Sequence, residues 1–225
     1  MSMRSPPSPE GCSVAKLGNP PDVPTLRGLN PPFVTLRAEV DRLARIYFAS
    51  GAHPSSWNTF RAWGPAANAR FDHHLLDAAG KPHAQDRKVI YCAPTGMTCL
   101  AEVFQVTRTV NRTAGDPYLA VFAPTRSLKL LDLTGRFATQ MGASLNIHSG
   151  PRSRARAWAR ALYEAYTCDG LLYLSSMDAG SKALVLTDRA EDAMPELPLA
   201  NRPLADPLLT DLIDAFTYRL GYLKR

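Results

Sequence analysis

From residue 36 onward, apolar positions come in short runs whose period keeps changing. Leu36, Val40 and Leu43 recur at helical spacing, which predicts a short helix. The following run to Phe48 (Ala44-Arg45-Ile46-Tyr47-Phe48) reads as a strand. Residues 49–87 show no period and hold Gly, Pro, Asn, Asp and four histidines; long irregular segments of this kind often carry binding residues. Lys88 to Ala93 is a strand, and Thr95 then caps a helix running to about Thr107, with Leu100 and Phe104 on its buried stripe. Tyr118–Ala123 and Leu128–Leu133 are further strands. Arg152 to Tyr166 reads as a helix with Trp158, Leu162 and Ala165 inward and Arg152, Arg156 and Arg160 outward. Gly170–Ser175 and Lys182–Thr187 read as a hairpin or adjacent strands, and Pro207–Leu220 closes the chain with an amphipathic helix. Strands and helices mix without strict alternation, so the fold class is α+β.

The chain has 225 residues, enough for one domain that buries its own core. Eight of its 19 prolines fall in residues 1–35, which therefore read as an N-terminal arm, with a catalytic domain over 36–225. No apolar run is long enough to span a bilayer, and the first residues lack the apolar centre of a secretory signal. The four cysteines (Cys12, Cys92, Cys99, Cys168) form no Cys-x-x-Cys pair, which fits a reducing cytoplasmic setting. A net charge of +6 favours anionic partners.

Asp72-His73-His74 is the most metal-like cluster, but zinc sites take ligands at defined helical or Cys-pair spacings that are absent here, so no metal is expected. The arginines of residues 152–160 lack interleaved aromatics and any helix-turn-helix or RNA-binding signature, so they read as a solvated face and not as a nucleic-acid footprint. Glycine-rich phosphate loops and nucleophile elbows are missing too, which weighs against dinucleotide-fold oxidoreductases, P-loop NTPases and α/β-hydrolases. Any catalysis must come from dispersed residues.

Those dispersed residues form an ordered set: Ala69-Arg70-Phe71-Asp72, then Tyr91-Cys92-Ala93 followed by Leu100-Ala101-Glu102, then Gly170 to Ser175, with Arg45 upstream. In order and spacing the set resembles the RES family, named for an Arg, a Glu and a Ser that match Arg70, Glu102 and Ser175. The resemblance covers roughly residues 40–190, with Leu174 where the family usually has Pro. It implies a core similar to that of ADP-ribosyltransferase toxins, built of small mixed sheets with flanking helices around a NAD cleft. It further implies a bacterial cytoplasmic toxin that cleaves the nicotinamide–ribose bond of NAD, as glycohydrolase or phosphorylase, with NAD as substrate and no separate cofactor. The partner implied is a cognate Xre-like antitoxin protein in a hetero-oligomer, with no direct nucleic-acid or membrane contact.

The residue types suit that task. Arg45 and Arg70 offer planar forks for phosphate. Glu102 would favour an oxocarbenium-like transition state, and Tyr91 would stack on nicotinamide. Ser175 would hydrogen-bond a ribose, an amide or an arginine. Tyr47 and Phe71 complete the candidate substrate contacts. Two alternatives compete: an ADP-ribosyltransferase acting on a protein, and a basic module that binds without turnover. Leu100, where arginine-specific transferases carry a second acid, weighs against transfer to arginine. An endoribonuclease would need a base such as His73 or His148.

Overall fold

The computed structural model describes residues 17–225. The first 16 residues, including Cys12, lie outside the described part of the expected arm. Gly18 accepts a hydrogen bond from Trp158 Nε1 at 3.0 Å, and Leu26, on helix α1 (Val23–Arg27), is fully buried, so residues 17–27 lie against the domain.

The main sheet has six strands. Strand β1 (Phe33–Leu36) pairs antiparallel with β7 (Leu128–Asp132), which runs parallel to β8 (Gly170–Leu174). β9 (Lys182–Thr187), β4 (His83–Cys92) and β3 (Arg61–Gly64) follow, all antiparallel to their neighbours. A second sheet has β6 (Pro117–Phe122) between β2 (Leu43–Phe48) and β10 (Ala200–Pro203). β5 (Thr109–Val110) pairs with the C-terminal β11 (Leu223–Lys224). The helices are α2 (Gly96–Val103), the one-turn α3 (Phe137–Gln140) and α4 (Asn146–Ser149), α5 (Arg152–Ala165) and α6 (Thr210–Leu220).

Alternation along the strands sorts the core into layers. Val89, Leu131, Leu171 and Val185 pack beneath α5 with Trp158 and Leu162. Their neighbours Ile90, Leu130, Leu172 and Leu184 face the second sheet through Leu43 and Phe122. The far side of that sheet, Ala44, Ile46 and Leu119, packs on Leu100 of α2 and on Ile213 and Phe216 of α6. Gly170 is required where β8 crosses β9, because a Cβ there would collide with the Val185 carbonyl.

Among the described residues one backbone bridge joins the two sheets. The Ala44 and Ala93 amides and carbonyls exchange hydrogen bonds of 2.7 and 2.9 Å. The bridge stands beside Arg45 on one strand and Tyr91 on the other, and the chain beyond Ala93 turns at once into α2. Thr95 caps that helix through a bond from the Thr98 amide, as its sequence predicts.

The α+β reading holds, as do the strands at 43–48, 117–122, 128–132, 170–174 and 182–187. The helix expected from Leu36, Val40 and Leu43 is absent. Leu36 ends β1, Val40 sits exposed in a turn and Leu43 opens β2. The irregular stretch conceals β3 and the first half of β4, and the last helix splits into a short 3-10 turn and α6.

Candidate active site

A cleft of about 570 Å³ opens where β2, β4, α2 and the start of α5 converge. That volume matches sites for small-molecule ligands. Arg45, Tyr47, Arg70, Tyr91 and Glu102 all line it.

Glu102, in the last turn of α2, is the only carboxylate in the lining among the described residues. Ser175, just past β8, donates its Oγ–H to Glu102 Oε1 at 2.6 Å. The same Oγ accepts the amides of Met177 and Asp178 at 3.1 and 2.9 Å, which leaves its proton directed at the carboxylate. Asp178 in turn accepts from Thr98 Oγ1 of α2 at 3.1 Å. Two side-chain ties thus hold the helix bearing Glu102 to the turn bearing Ser175.

Arg70 donates to the Gly150 carbonyl at 2.5 Å. Burial lowers its pKa and the nearby Arg152 lowers it further, while Glu102 acts in the opposite direction. Arg45 donates to the Thr59 carbonyl at 3.0 Å, and burial brings its pKa down to about 10, so it stays charged at neutral pH. Tyr91 turns its ring into the cleft wall, and its buried hydroxyl has no hydrogen-bond partner among the described residues. Burial first, and then the charge of Asp72, raises its pKa, so the phenol stays protonated.

Two candidates sit differently. Phe71 is fully buried behind the cleft, with its ring 4.6 Å from that of Tyr173. Tyr47 reaches the lining, but its ring stacks on Tyr118 at 5.4 Å and its hydroxyl donates to Asn201 Oδ1 at 3.0 Å.

The arginines of α5 are not the solvated face that helical spacing suggests. Arg152 is half-buried, lines the cleft and donates to Gln105 Oε1 at 2.6 Å. Arg156 donates to the carbonyl of Ala67 at 3.0 Å and lies within 3.4 Å of those of Ala66 and Ala69, so it anchors the loop that carries Arg70. One signal for Arg152 was present in the sequence: it opens a helix whose first turn holds no acid, and a cation there opposes the macrodipole. Tyr173 was also overlooked; it lines the cleft two residues before Ser175.

The Asp72-His73-His74 cluster is a buried clasp. Asp72 accepts from Arg61 and from the Ala66 amide, both at 2.7 Å, and from the His74 amide, and it meets His74 Nδ1. His73 stacks on Tyr163 with centroids 4.1 Å apart. His148 lines the cleft with both ring nitrogens engaged: Nε2–H donates to the Leu133 carbonyl at 3.1 Å and Nδ1 accepts from the Leu174 amide at 3.4 Å. Burial holds it neutral, and neither histidine is placed as the free base that RNA cleavage needs. Cys92 and Cys99 also line the cleft, but burial raises both thiols (Cys92 to about 12), so neither offers a thiolate.

The chain belongs to the RES domain family, whose model matches residues 42–206. Its fold is shared by a chain in the crystal structure of the M. tuberculosis MbcT-MbcA toxin-antitoxin complex, with a TM-score of 0.55 and 18% identity over 86% of this chain and 96% of that one. Among curated proteins none matches in sequence. No helix among the described residues is long and apolar enough to cross a membrane.

Proposed function

We propose that the protein cleaves the nicotinamide–ribose bond of NAD, as a glycohydrolase or phosphorylase. The observation that carries this reading is the carboxylate of Glu102, oriented by Ser175 at 2.6 Å and, among the described residues, the one acid in a cleft lining that also carries four arginines. NAD presents the complementary charges: a pyrophosphate for guanidinium forks, and a ribose carbon that turns cationic as its bond to nicotinamide breaks.

In the proposed step the C1′–N bond breaks and its electron pair neutralises the pyridinium nitrogen. The cationic ribose is stabilised by Glu102, whose interaction with it strengthens only as charge develops. A water oxygen then bonds to C1′ and releases its proton to solvent, or an unprotonated oxygen of inorganic phosphate bonds there with no proton to lose. Ser175 restricts the rotamers of Glu102, Tyr91 supports the nicotinamide ring, and Arg70 holds phosphate. Sharing its fold with a chain of a toxin-antitoxin complex supports a cellular role as a toxin restrained by an antitoxin protein, which the family suggests is Xre-like.

Release of nicotinamide from NAD, measured with and without inorganic phosphate for wild type and Glu102→Gln, tests this reading. Turnover by wild type that the substitution lowers at least about a hundredfold supports it, and phosphate dependence names the acceptor. A folded, partner-free wild type that releases no nicotinamide in either buffer overturns it.

A further inference from the structure

The turn between β8 and β9 (residues 175–181) closes on itself through two backbone bonds. The Ser175 amide donates to the Ser181 carbonyl at 2.8 Å, and the Ser181 amide to the Asp178 carbonyl at 2.9 Å. Inside it, Ser175 Oγ accepts the amides of Met177 and Asp178. Among the described residues, only two side chains of the turn form hydrogen bonds beyond it. Ser175 reaches Glu102, and Asp178 reaches Thr98 and Arg219. The aim of the Ser175 proton therefore depends on where two amides sit, and one of them belongs to Asp178.

Asp178 is itself 4% exposed, yet it is poorly supplied with donors. Thr98 Oγ1–H donates to its Oδ2 at 3.1 Å, and Arg219 of α6 lies 3.5 Å from its Oδ1, at the limit of hydrogen-bond distance. Asp72, also buried, accepts from four groups. Burying a carboxylate with so few donors costs the fold stability, so stability does not account for this acid. Its placement does. Thr98 lies in the first turn of α2, which holds no acid of its own, and an anion there complements the helix dipole. Because Thr98 gives its proton to Asp178, Thr95 Oγ1–H donates to Thr98 Oγ1 at 2.9 Å, and a directed chain of bonds runs from the helix cap to the turn. Glu102 stands in the last turn of the same helix. The 175–181 turn thus grips α2 at both ends, through Asp178 at the first turn and Ser175 at the last.

Building on the NAD reading, we infer that Asp178 is a positioning residue for Glu102. It does not line the cleft. It fixes the turn against the start of α2, which keeps the Met177 and Asp178 amides on Ser175 Oγ and so commits the serine proton to the Glu102 carboxylate. Without Asp178 the arginines of the cleft stay in place while Ser175 is free to turn away, so bond breaking slows and NAD affinity does not change.

Nicotinamide release by Asp178→Ala, Ser175→Ala and the double variant, with crystal structures of the wild-type and D178A proteins, tests this. D178A is expected to lower kcat about tenfold, the scale of a lost hydrogen bond to a charged group, with KM within about twofold of wild type. In the S175A background it should change kcat by less than about twofold, because Asp178 acts through the serine. D178N, whose side-chain oxygen still accepts from Thr98, should recover most of the activity, and T98V should match D178A. In crystals of D178A the separation of Ser175 Oγ from the Glu102 carboxylate should exceed about 3.5 Å. Losses that multiply in full in the double variant overturn the proposal. So does a D178A structure that keeps the 2.6 Å bond, or a loss that falls on KM alone. If D178A does not fold, T98V breaks the same tie from the other end and carries the same kinetic and structural comparisons. A wild type that releases no nicotinamide overturns the NAD reading, and the crystallographic comparison then decides the positioning by itself.

Discussion

Two clusters of charged side chains lie close together in this fold and are wired in opposite ways. In the clasp around Asp72, one buried carboxylate accepts from a guanidinium, two backbone amides and a histidine ring. In the cleft, three guanidiniums have only neutral partners and the Tyr91 hydroxyl has none among the described residues. A polar cluster that satisfies itself stabilises the fold, whereas one left open has capacity for a ligand. The histidine-rich segment that looks most like a site in sequence is the structural one.

The largest effect expected from breaking this contrast is at the clasp. Asp72→Ala leaves the partly exposed Arg61 and the buried His74 without their acceptor and should cost about 3 kcal/mol of stability in denaturant titration. The clasp also carries a pH signature. Burial alone would raise the Asp72 pKa, but the His74 and Arg61 contacts and the Ala66 amide outweigh it and leave the group below its ordinary value. Its contribution is therefore complete above the unfolded pKa of about 3.9 and is lost as pH falls through the lower folded value. Asp72→Asn should flatten the acid limb of a stability-versus-pH curve while changing its neutral plateau by a constant amount.

In the cleft the expected losses are of activity. Glu102→Gln should lower nicotinamide release by about 10²–10³-fold, the range seen when one electrostatic stabiliser is removed, with little change in melting temperature. Ser175→Ala removes a hydrogen bond to a charged group, worth about 1.5–3 kcal/mol, and should lower kcat by about ten- to a hundredfold without unfolding the protein. Arg156→Gln is the mildest change. It loosens the carbonyl anchors of the Arg70 loop and should cost about 1 kcal/mol of stability, with a rise in KM greater than the fall in kcat.

Local patterns made much of the fold legible. The Thr95 cap, the alternation through Ile90, Leu172 and Leu184, and the α5 stripe of Trp158 and Leu162 are all short-range signals that tertiary packing preserved. The false helix arose because Leu36 and Leu43 lie at the end of one strand and the start of another, and the turn between them happens to reproduce a helical spacing. β3 stayed hidden because it is short and its Trp63 is exposed, so it shows no buried stripe. At the site, the ordered set of Arg70, Tyr91, Glu102 and Ser175 was readable as a pattern. Arg152 carried only the signal of a cation in an acid-free first turn, because its role depends on α5 starting at the cleft mouth, a long-range fact that helical periodicity does not carry.

The most direct test of the central claim is a crystal structure of Glu102→Gln with NAD bound. The account predicts the dinucleotide in the 570 Å³ cleft, its C1′–N bond beside residue 102 and its pyrophosphate on Arg70 and Arg152, with the Asp72 clasp unchanged. NAD bound outside the cleft, or seated with its adenine at residue 102, would contradict it.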